Sequence, residues 1–175
     1  DIKKETRNTL NERCEKAFNL ANEHDTSVYW VNLNDEAKLL KSLDKNSYEI
    51  KGAMSIDQKE EMLIGFAKGD IKKLITKTKI TAFGLNWQHC NHTTYFPTYS
   101  YEQYYQAIRR FWRFGQKNNV TVDLVLSDGQ TRIMDSLSVK KTKANDMFTK
   151  LSQNVNSIYE IQKREFTKEI IKPKF

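Results

Sequence analysis

The sequence contains few of the residues that cross-link or break a chain. Among its 175 residues are two cysteines, two prolines and six glycines. Cys14 and Cys90 lie far apart and form no disulfide framework, which indicates a reducing, intracellular compartment. No apolar run approaches the length of a membrane span, and the start, Asp1-Ile-Lys-Lys, does not resemble a signal peptide. The chain also lacks an initial Met, so we expect an excised fragment or a processed product.

A zinc-binding pattern is also missing. The tract His89-Cys-Asn-His92 suggests one, but a structural zinc site needs four ligands at regular paired spacing. The sequence has no second cluster of this kind. We therefore interpret these residues as ordinary buried or loop residues and predict no metal site.

The composition is that of a folded basic domain. Hydrophobic residues make up 38% and aromatic residues 11% of the chain, which is typical of a globule with its own core. The formal charge is +7 and the isoelectric point is near 9.3. This excess favours an anionic partner, and nucleic acid is the first candidate.

Short apolar strands alternate with amphipathic helices along the chain. A first helix is predicted over residues 4–22, and a last helix from Thr131 to Phe175. Strands are predicted over residues 28–33, 48–51, 71–76, 93–97 and 120–126. The expected helix N-caps are Asn34, Ser55 and Ser100, and the expected C-cap is Gly69. Such alternation predicts right-handed βαβ units and a parallel sheet, whose ligands bind at the carboxyl ends of the strands.

The stretch Gln106-Ala-Ile-Arg-Arg-Phe-Trp-Arg-Phe-Gly-Gln116 stands out. On a helix, the three-residue spacing would put Arg110 and Arg113 on one face, where planar guanidinium groups suit phosphate oxygens. Arg109 adds a third cation. The expected anchors, with the arginines pointing outward, are Phe111, Trp112 and Phe114. Taken alone, the stretch favours a basic helix face beside an aromatic core over a phosphate-binding site. Core packing is also the expected role of Trp87 and Trp112.

Three segments in order resemble a known family. Residues 52–69 resemble the "G…S…R…F..G" block in the second RecA-like lobe of superfamily-two helicases and translocases. Residues 78–88 resemble motif V of that family, and residues 106–116 resemble motif VI in its Swi/Snf-type or phage form. Residues 120–141 resemble the Swi/Snf-type strand, turn and lysine that follow. A Swi/Snf-like or a phage or bacterial DEAD/DEAH-like member is expected.

The resemblance implies a three-layer α/β/α RecA-like fold with a mostly parallel sheet and a C-terminal helical extension. The lobe would span residues 1–140, and a lysine-rich helical extension residues 141–175. Arg110 and Arg113 would be arginine fingers that stabilise the charge on the transferred phosphoryl group. ATP would also contact Gly84, Asn86 and Gln106. Nucleic acid would contact Asn32, Asn34, Lys59 and Thr78, although Lys59 stands where the family usually has Arg.

The sequence has neither a G-x-x-x-x-G-K-[ST] phosphate loop nor an Asp-Glu box for magnesium. ATP and Mg²⁺ are therefore expected to be bound mainly by an N-terminal lobe outside this sequence, and the isolated lobe is expected to be inactive. The resemblance favours DNA over RNA and a cytoplasmic bacterial or phage protein without a membrane partner. Two alternatives stay open: a non-catalytic nucleic-acid-binding module, and a protein-interaction fragment that uses its long C-terminal helix.

Overall fold

The computed structural model describes residues 2–80 and 86–158, with side chains over residues 3–80 and 86–147. The helices are α1 (Ile2–Asn8), α2 (Leu10–Asn22), α3 (Asn34–Leu43), α4 (Ile56–Lys68), α5 (Tyr101–Ile108) and α6 (Thr131–Ile158). The strands are β1 (Ser27–Trp30), β2 (Tyr48–Glu49), β3 (Lys73–Thr76), β4 (His92–Tyr95) and β5 (Thr121–Leu124).

The five strands form one parallel sheet in the order β2-β3-β1-β4-β5. The central strand is β1, in which Val28 lies opposite Leu74 of β3 and Thr93 of β4. Because a parallel strand needs a crossover connection, helices cover both faces of the sheet. The predicted RecA-like α/β/α architecture is confirmed.

Side chains of β1 alternate between two hydrophobic clusters. Val28 and Trp30 pack with residues of α4 and α5 on one face. Tyr29 and Val31 pack with residues of α2 and α3 on the other. All four side chains are buried, so the central strand contributes to both halves of the core.

The three predicted caps of α4 and α5 are confirmed. The Ser55 hydroxyl accepts a hydrogen bond from the Gln58 amide at 3.2 Å, and the Ser100 hydroxyl accepts one from the Gln103 amide at 3.3 Å. Gly69 ends α4 in the left-handed region, with φ of 86°. Glycine adopts this conformation without the steric cost that a Cβ atom brings.

The predicted first helix is interrupted at Thr9. Its hydroxyl donates to the Glu5 carbonyl at 2.8 Å and accepts from the Arg13 Nε at 3.1 Å, so the side chain competes with regular helix geometry at the junction of α1 and α2. The predicted N-cap Asn34 is also wrong, because Asn34 is already the first residue of α3.

The two cysteines and His92 are buried in the core, whereas His89 is exposed. Cys14 and Cys90 are buried in the clusters on opposite faces of the sheet. The His89 ring packs against Phe66, with 4.9 Å between centroids. The His92 ring is fully buried and is hydrogen-bonded through both of its nitrogens.

The last helix, α6, runs without a break through the predicted boundary between residues 140 and 141. It contacts α5, and Ile133 and Leu137 near its start are buried. The domain boundary stays a prediction, and residues 159–175 of the predicted helix lie outside the described residues.

Candidate functional site

Residues 86–90 (the facing segment) and residues 109–116 (the arginine segment) pack against each other. The Trp87 amide donates to the Arg110 carbonyl at 2.9 Å. The Gln116 side-chain amide donates to the Cys90 carbonyl at 3.2 Å and to the Phe111 carbonyl at 3.1 Å. Two parts of the chain that resemble motifs V and VI are therefore hydrogen-bonded into one unit.

The predicted arginine helix ends before the arginines. Helix α5 stops at Ile108, and the backbone then forms tight turns, with the Phe111 amide donating to the Ile108 carbonyl at 3.1 Å. Tertiary contacts explain this end, because Phe111 is fully buried and Gln116 holds its carbonyl. The prediction of one helical face for Arg110 and Arg113 is wrong, although the two side chains remain neighbours.

Arg110 and Arg113 differ in accessibility. Arg110 is only 8% exposed, and its guanidinium carbon lies 5.4 Å from the centroid of the Trp87 ring. Arg113 is half-buried, and its Nε donates to the Arg109 carbonyl at 3.1 Å. Burial and then the charge of Arg113 lower the pKa of Arg110. Arg110 and Arg113 lie three residues apart in one set of tight turns, and two cations this close along the chain favour an anion there.

The aromatic residues of the arginine segment do not behave as predicted. Phe111 is buried, whereas Trp112 is 49% and Phe114 is 85% exposed. The core tryptophan is Trp87, which is fully buried among Trp30, Phe66 and Phe111. The interpretation of Trp87 as a core residue is confirmed, and that of Trp112 is wrong.

Gly115 brings the arginine segment against Asn86 and Gln88. Its φ is 95°, and a Cβ atom added there would lie 2.5 Å from the Gln88 Oε1. The same Oε1 accepts a hydrogen bond from the Asn86 side chain at 3.0 Å. Asn86, predicted to contact ATP, is thus next to the arginine segment. The predicted ATP contact Gly84 lies outside the described residues.

Three residues of this unit were not singled out by sequence reasoning: Gln88, Gly115 and Gln116. The available signal was the end of the motif-like string itself, because a glycine followed by a glutamine closes it. Gln106, predicted to contact ATP, lies on the exposed side of α5, about one turn before the arginine segment.

The predicted nucleic-acid residues lie elsewhere, at the carboxyl ends of the strands. The Asn32 side chain follows β1 and donates to the Phe96 carbonyl beyond β4 at 2.6 Å. The Asn34 Oδ1 accepts from the Lys77 Nζ at 2.7 Å, which joins the ends of β1 and β3. Thr78 is in the turn that follows β3 and is half-exposed. We call this set (Asn32, Asn34, Lys77 and Thr78) the carboxyl edge.

A basic cavity of about 520 Å³ opens at the carboxyl edge. Its lining includes the cations Lys38, Lys51 and Lys77, the backbone of Gly52 and the acidic Glu49. Lys59 is half-buried on α4, where its Nζ donates to the Gly52 carbonyl at 2.8 Å. It therefore supports the loop that lines the cavity.

The arginine segment and the carboxyl edge are separated along α5. This helix begins after the carboxyl end of β4 and runs back, so its last residues lie beside the facing segment, which precedes β4. Helix α5 thus leaves the carboxyl ends of the strands as predicted, but Arg110 and Arg113 lie beyond its far end.

The parallel sheet, with helices on both of its faces, defines a RecA-like lobe. The helicase conserved C-terminal domain family matches residues 7–115, more than half of the chain. The chain belongs to this family of helicase C-terminal domains.

Two solved structures with a similar fold come from different proteins, Fun30 and Dbp5. The C-terminal part of the Fun30 ATPase domain is similar with a TM-score of 0.62 at 15% identity, over 71% of this chain and 44% of that one. A Dbp5 variant from S. cerevisiae, bound to a Gle1 variant and IP6, is similar with a TM-score of 0.65 at 17% identity, over 75% of this chain and 36% of that one. This chain thus spans less than half the length of either structure.

No curated protein sequence matches this chain. Within residues 2–80 and 86–158, none of the helices combines the length and apolar character needed to cross a membrane.

Proposed function

We propose that this chain is the second motor lobe of an ATP-dependent helicase or translocase, acting on DNA rather than RNA. Arg110 and Arg113 face an ATP site shared with an N-terminal lobe that holds the phosphates and Mg²⁺. The observation that carries this proposal is the hydrogen-bonded unit of the facing and arginine segments, which sets two guanidinium groups beside each other.

The donor set fits the γ-phosphate of ATP. Guanidinium groups bind phosphate oxygens through paired N–H donors, and their positive charge offsets the charge that builds during phosphoryl transfer. The more accessible Arg113 makes the direct contact, while Arg110 lies behind it over Trp87. Asn86 and Gln88 are hydrogen-bonded to each other beside Gly115, next to this site. The ATP bound between the lobes supplies the free energy for movement.

The carboxyl edge is the proposed contact for the nucleic-acid backbone. Lys77, Asn34 and Thr78 offer an ammonium group, an amide and a hydroxyl at the ends of neighbouring strands. Such groups position a phosphate chain without reading bases. The preference for DNA is supported by the Swi/Snf-like form of residues 106–116.

The finger assignment is tested in the protein that contains both lobes. Arg113→Ala is expected to lower nucleic-acid-stimulated ATP turnover by about 10³-fold, since arginine fingers contribute on this order. The affinity for ATP, measured with a non-hydrolysable analogue, should change little. Lys117→Ala, an exposed cation just after the segment, is the matched control. Normal turnover in Arg113→Ala contradicts the assignment.

A second candidate, a nucleic-acid-binding lobe without catalysis, is favoured by the burial of Arg110 against Trp87. That packing alone would retain an arginine for structural reasons. The two candidates differ at Arg110→Lys, which keeps the charge but loses the planar fork. If the chain is a motor lobe, Arg110→Lys should lower ATP turnover strongly. If it is a binding lobe, the original protein should show no ATP turnover, and Arg110→Lys should leave the affinity for duplex DNA unchanged.

Backbone binding is tested with the 175-residue chain itself. Affinity for duplex DNA should fall steeply as salt rises, because each phosphate contact releases counterions. A flat salt response contradicts binding through the carboxyl edge.

A further inference from the structure

Three side chains spaced four residues apart form a stripe along α5 and its C-cap, in which the first is half-buried and the other two are exposed. The Tyr101 and Tyr105 rings lie 6.1 Å apart between centroids and are inclined by only 24°. The guanidinium carbon of Arg109 lies 5.3 Å from the centroid of the Tyr105 ring. We call this set (Tyr101, Tyr105 and Arg109) the tyrosine–arginine stripe. It presents two nearly parallel rings and a cation on one helix face.

The core does not require this stripe. The tyrosine that packs α5 onto the sheet is Tyr104, whose ring meets the Tyr95 ring edge-on at 5.3 Å. Ala107 supplies the buried contact one turn later. Tyr105, by contrast, is 42% exposed, and Arg109 is exposed. The stripe therefore leaves aromatic surface available to a ligand.

The charges around the stripe select an anionic ligand. Between residues 99 and 119 there is a single acidic side chain, Glu102. The same range has four cations: Arg109, Arg110, Arg113 and Lys117. From α6, the Lys140 Nζ donates to the Tyr99 carbonyl, which brings a fifth cation to the start of α5. Aromatic rings among cations are typical of surfaces that bind single-stranded nucleic acid.

The position of the stripe extends the carboxyl edge. Tyr101 begins α5 after a five-residue loop that follows β4, and this loop is held to the end of β1 by the Asn32–Phe96 hydrogen bond. From Tyr101 to Arg109 the helix rises about 12 Å. At about 3.4 Å per nucleotide this length matches roughly three stacked bases.

We propose that the tyrosine–arginine stripe stacks against the bases of a single-stranded nucleic acid whose backbone continues onto the carboxyl edge. This goes beyond the proposed function, which assigns only backbone contacts to this lobe. The chemistry recognised is a nucleobase π-face flanked by phosphates, which DNA and RNA share.

The test measures binding of the 175-residue chain to a labelled twelve-nucleotide oligothymidylate and to an abasic strand with the same number of phosphates. Tyr105→Leu is expected to weaken binding to oligothymidylate by about tenfold, because stacking on an aromatic side chain contributes a factor of this order per base. Binding to the abasic strand should not change, nor should the salt dependence. Tyr105→Phe should bind both strands like the original chain.

The chain offers a matched control at the opposite edge of the sheet. Tyr48 on β2 is 48% exposed, and the Lys41 Nζ lies 5.6 Å from its ring centroid, so it is also an exposed tyrosine beside a cation. Tyr48→Leu should leave both affinities unchanged. Equal loss in Tyr48→Leu and Tyr105→Leu overturns the proposal, as does equal loss of both strands in Tyr105→Leu.

The same assay separates the stripe from the carboxyl edge. Lys77→Ala should weaken the base-containing and the abasic strand alike and reduce the salt slope by about one phosphate contact. A base-specific loss at Tyr105 with no effect at Lys77 supports the stripe and contradicts the edge. A loss at Lys77 with no base-specific loss at Tyr105 supports the edge and overturns the stripe.

Oligouridylate in place of oligothymidylate shows whether RNA is bound as well. Equal affinity of the original chain for the abasic and the base-containing strand overturns stacking.

Discussion

Trp87 holds Arg110 through both its backbone and its ring. The Trp87 amide donates to the Arg110 carbonyl at 2.9 Å, and the Arg110 guanidinium carbon lies 5.4 Å from the Trp87 ring centroid. Because Trp87 is fully buried in the core cluster, its contacts hold Arg110 in a fixed position relative to the sheet. Catalytic geometry depends on such fixed supports, since small displacements of a reacting group cost rate steeply.

Replacing Gly115 should disturb the site directly. Gly115→Ala places a Cβ atom 2.5 Å from the Gln88 Oε1 at a φ of 95°, so Gln88 must move and the backbone is strained. We expect a loss of about 1–3 kcal/mol in the free energy of unfolding, measured by urea denaturation. ATP turnover of the two-lobe protein should also fall.

Gly69 provides the matched control for Gly115. Its φ is 86°, but a Cβ atom there meets nothing within 4 Å. Gly69→Ala should therefore show only the backbone cost of about 1 kcal/mol and normal turnover. If both variants lose the same stability and activity, the Gln88 contact has no role.

The local signals of this fold were readable from the sequence. Ser55, Gly69 and Ser100 were predicted as caps because capping depends on the residue and its nearest neighbours. The strands and their parallel arrangement followed from short apolar runs that alternate with helices. These features were confirmed to within a few residues at the ends.

The failures concern contacts between distant parts of the chain. Whether α5 continues through Arg110 depends on Trp87 and Cys90, which lie more than 20 residues earlier in the sequence. The Trp87 amide donates a hydrogen bond to the Arg110 carbonyl, and the Cys90 carbonyl accepts one from the Gln116 side chain. Periodicity within the segment carries no such information. The exposure of Trp112 follows from the same early helix end, because the turn changes the direction of each later side chain.

A buried ion pair should hold the loop after β1. Arg13 and Glu36 are joined at 2.8 Å and are 4% and 2% exposed, and the second Glu36 oxygen accepts from the amides of Asn32 and Leu33. Arg13→Leu leaves the carboxylate buried without its partner. We expect a loss of about 3–5 kcal/mol in the free energy of unfolding.

The exposed pair of Asp25 and Lys72 is the control for the buried pair. These side chains are 83% and 54% exposed and lie 3.3 Å apart, so Lys72→Ala should cost no more than about 1 kcal/mol. The double variant Arg13→Leu/Glu36→Gln should lose less than the sum of its single changes. Additive losses would contradict direct coupling between the two residues.

The buried His92 should make the fold sensitive to acid. Its Nδ1 is hydrogen-bonded to the Ser27 hydroxyl and its Nε2 to the Asp123 carboxylate, both at 2.7 Å, and the His24 ring stacks on it at 3.8 Å. Burial lowers the pKa of His92, and the hydrogen bond to Asp123 partly opposes this. The neighbouring charges of His24 and Lys73 lower the pKa of His92 further.

The sign of the pH effect follows from the lowered pKa of His92. The unfolded chain takes up a proton near its ordinary value of about 6.5, before the folded chain does, so acid favours unfolding. The stabilisation is complete above that value and is lost as the pH falls toward the folded pKa. Urea unfolding at pH values from about 7.5 to 5 should therefore show decreasing stability. In His92→Asn the slope should be shallower, whatever its absolute stability. Burial also lowers the pKa of His89, so His89→Asn measures how much that residue contributes to the slope of stability against pH. If the slope is unchanged in His92→Asn but lost in His89→Asn, the acid sensitivity comes from His89 and its assignment to His92 is wrong.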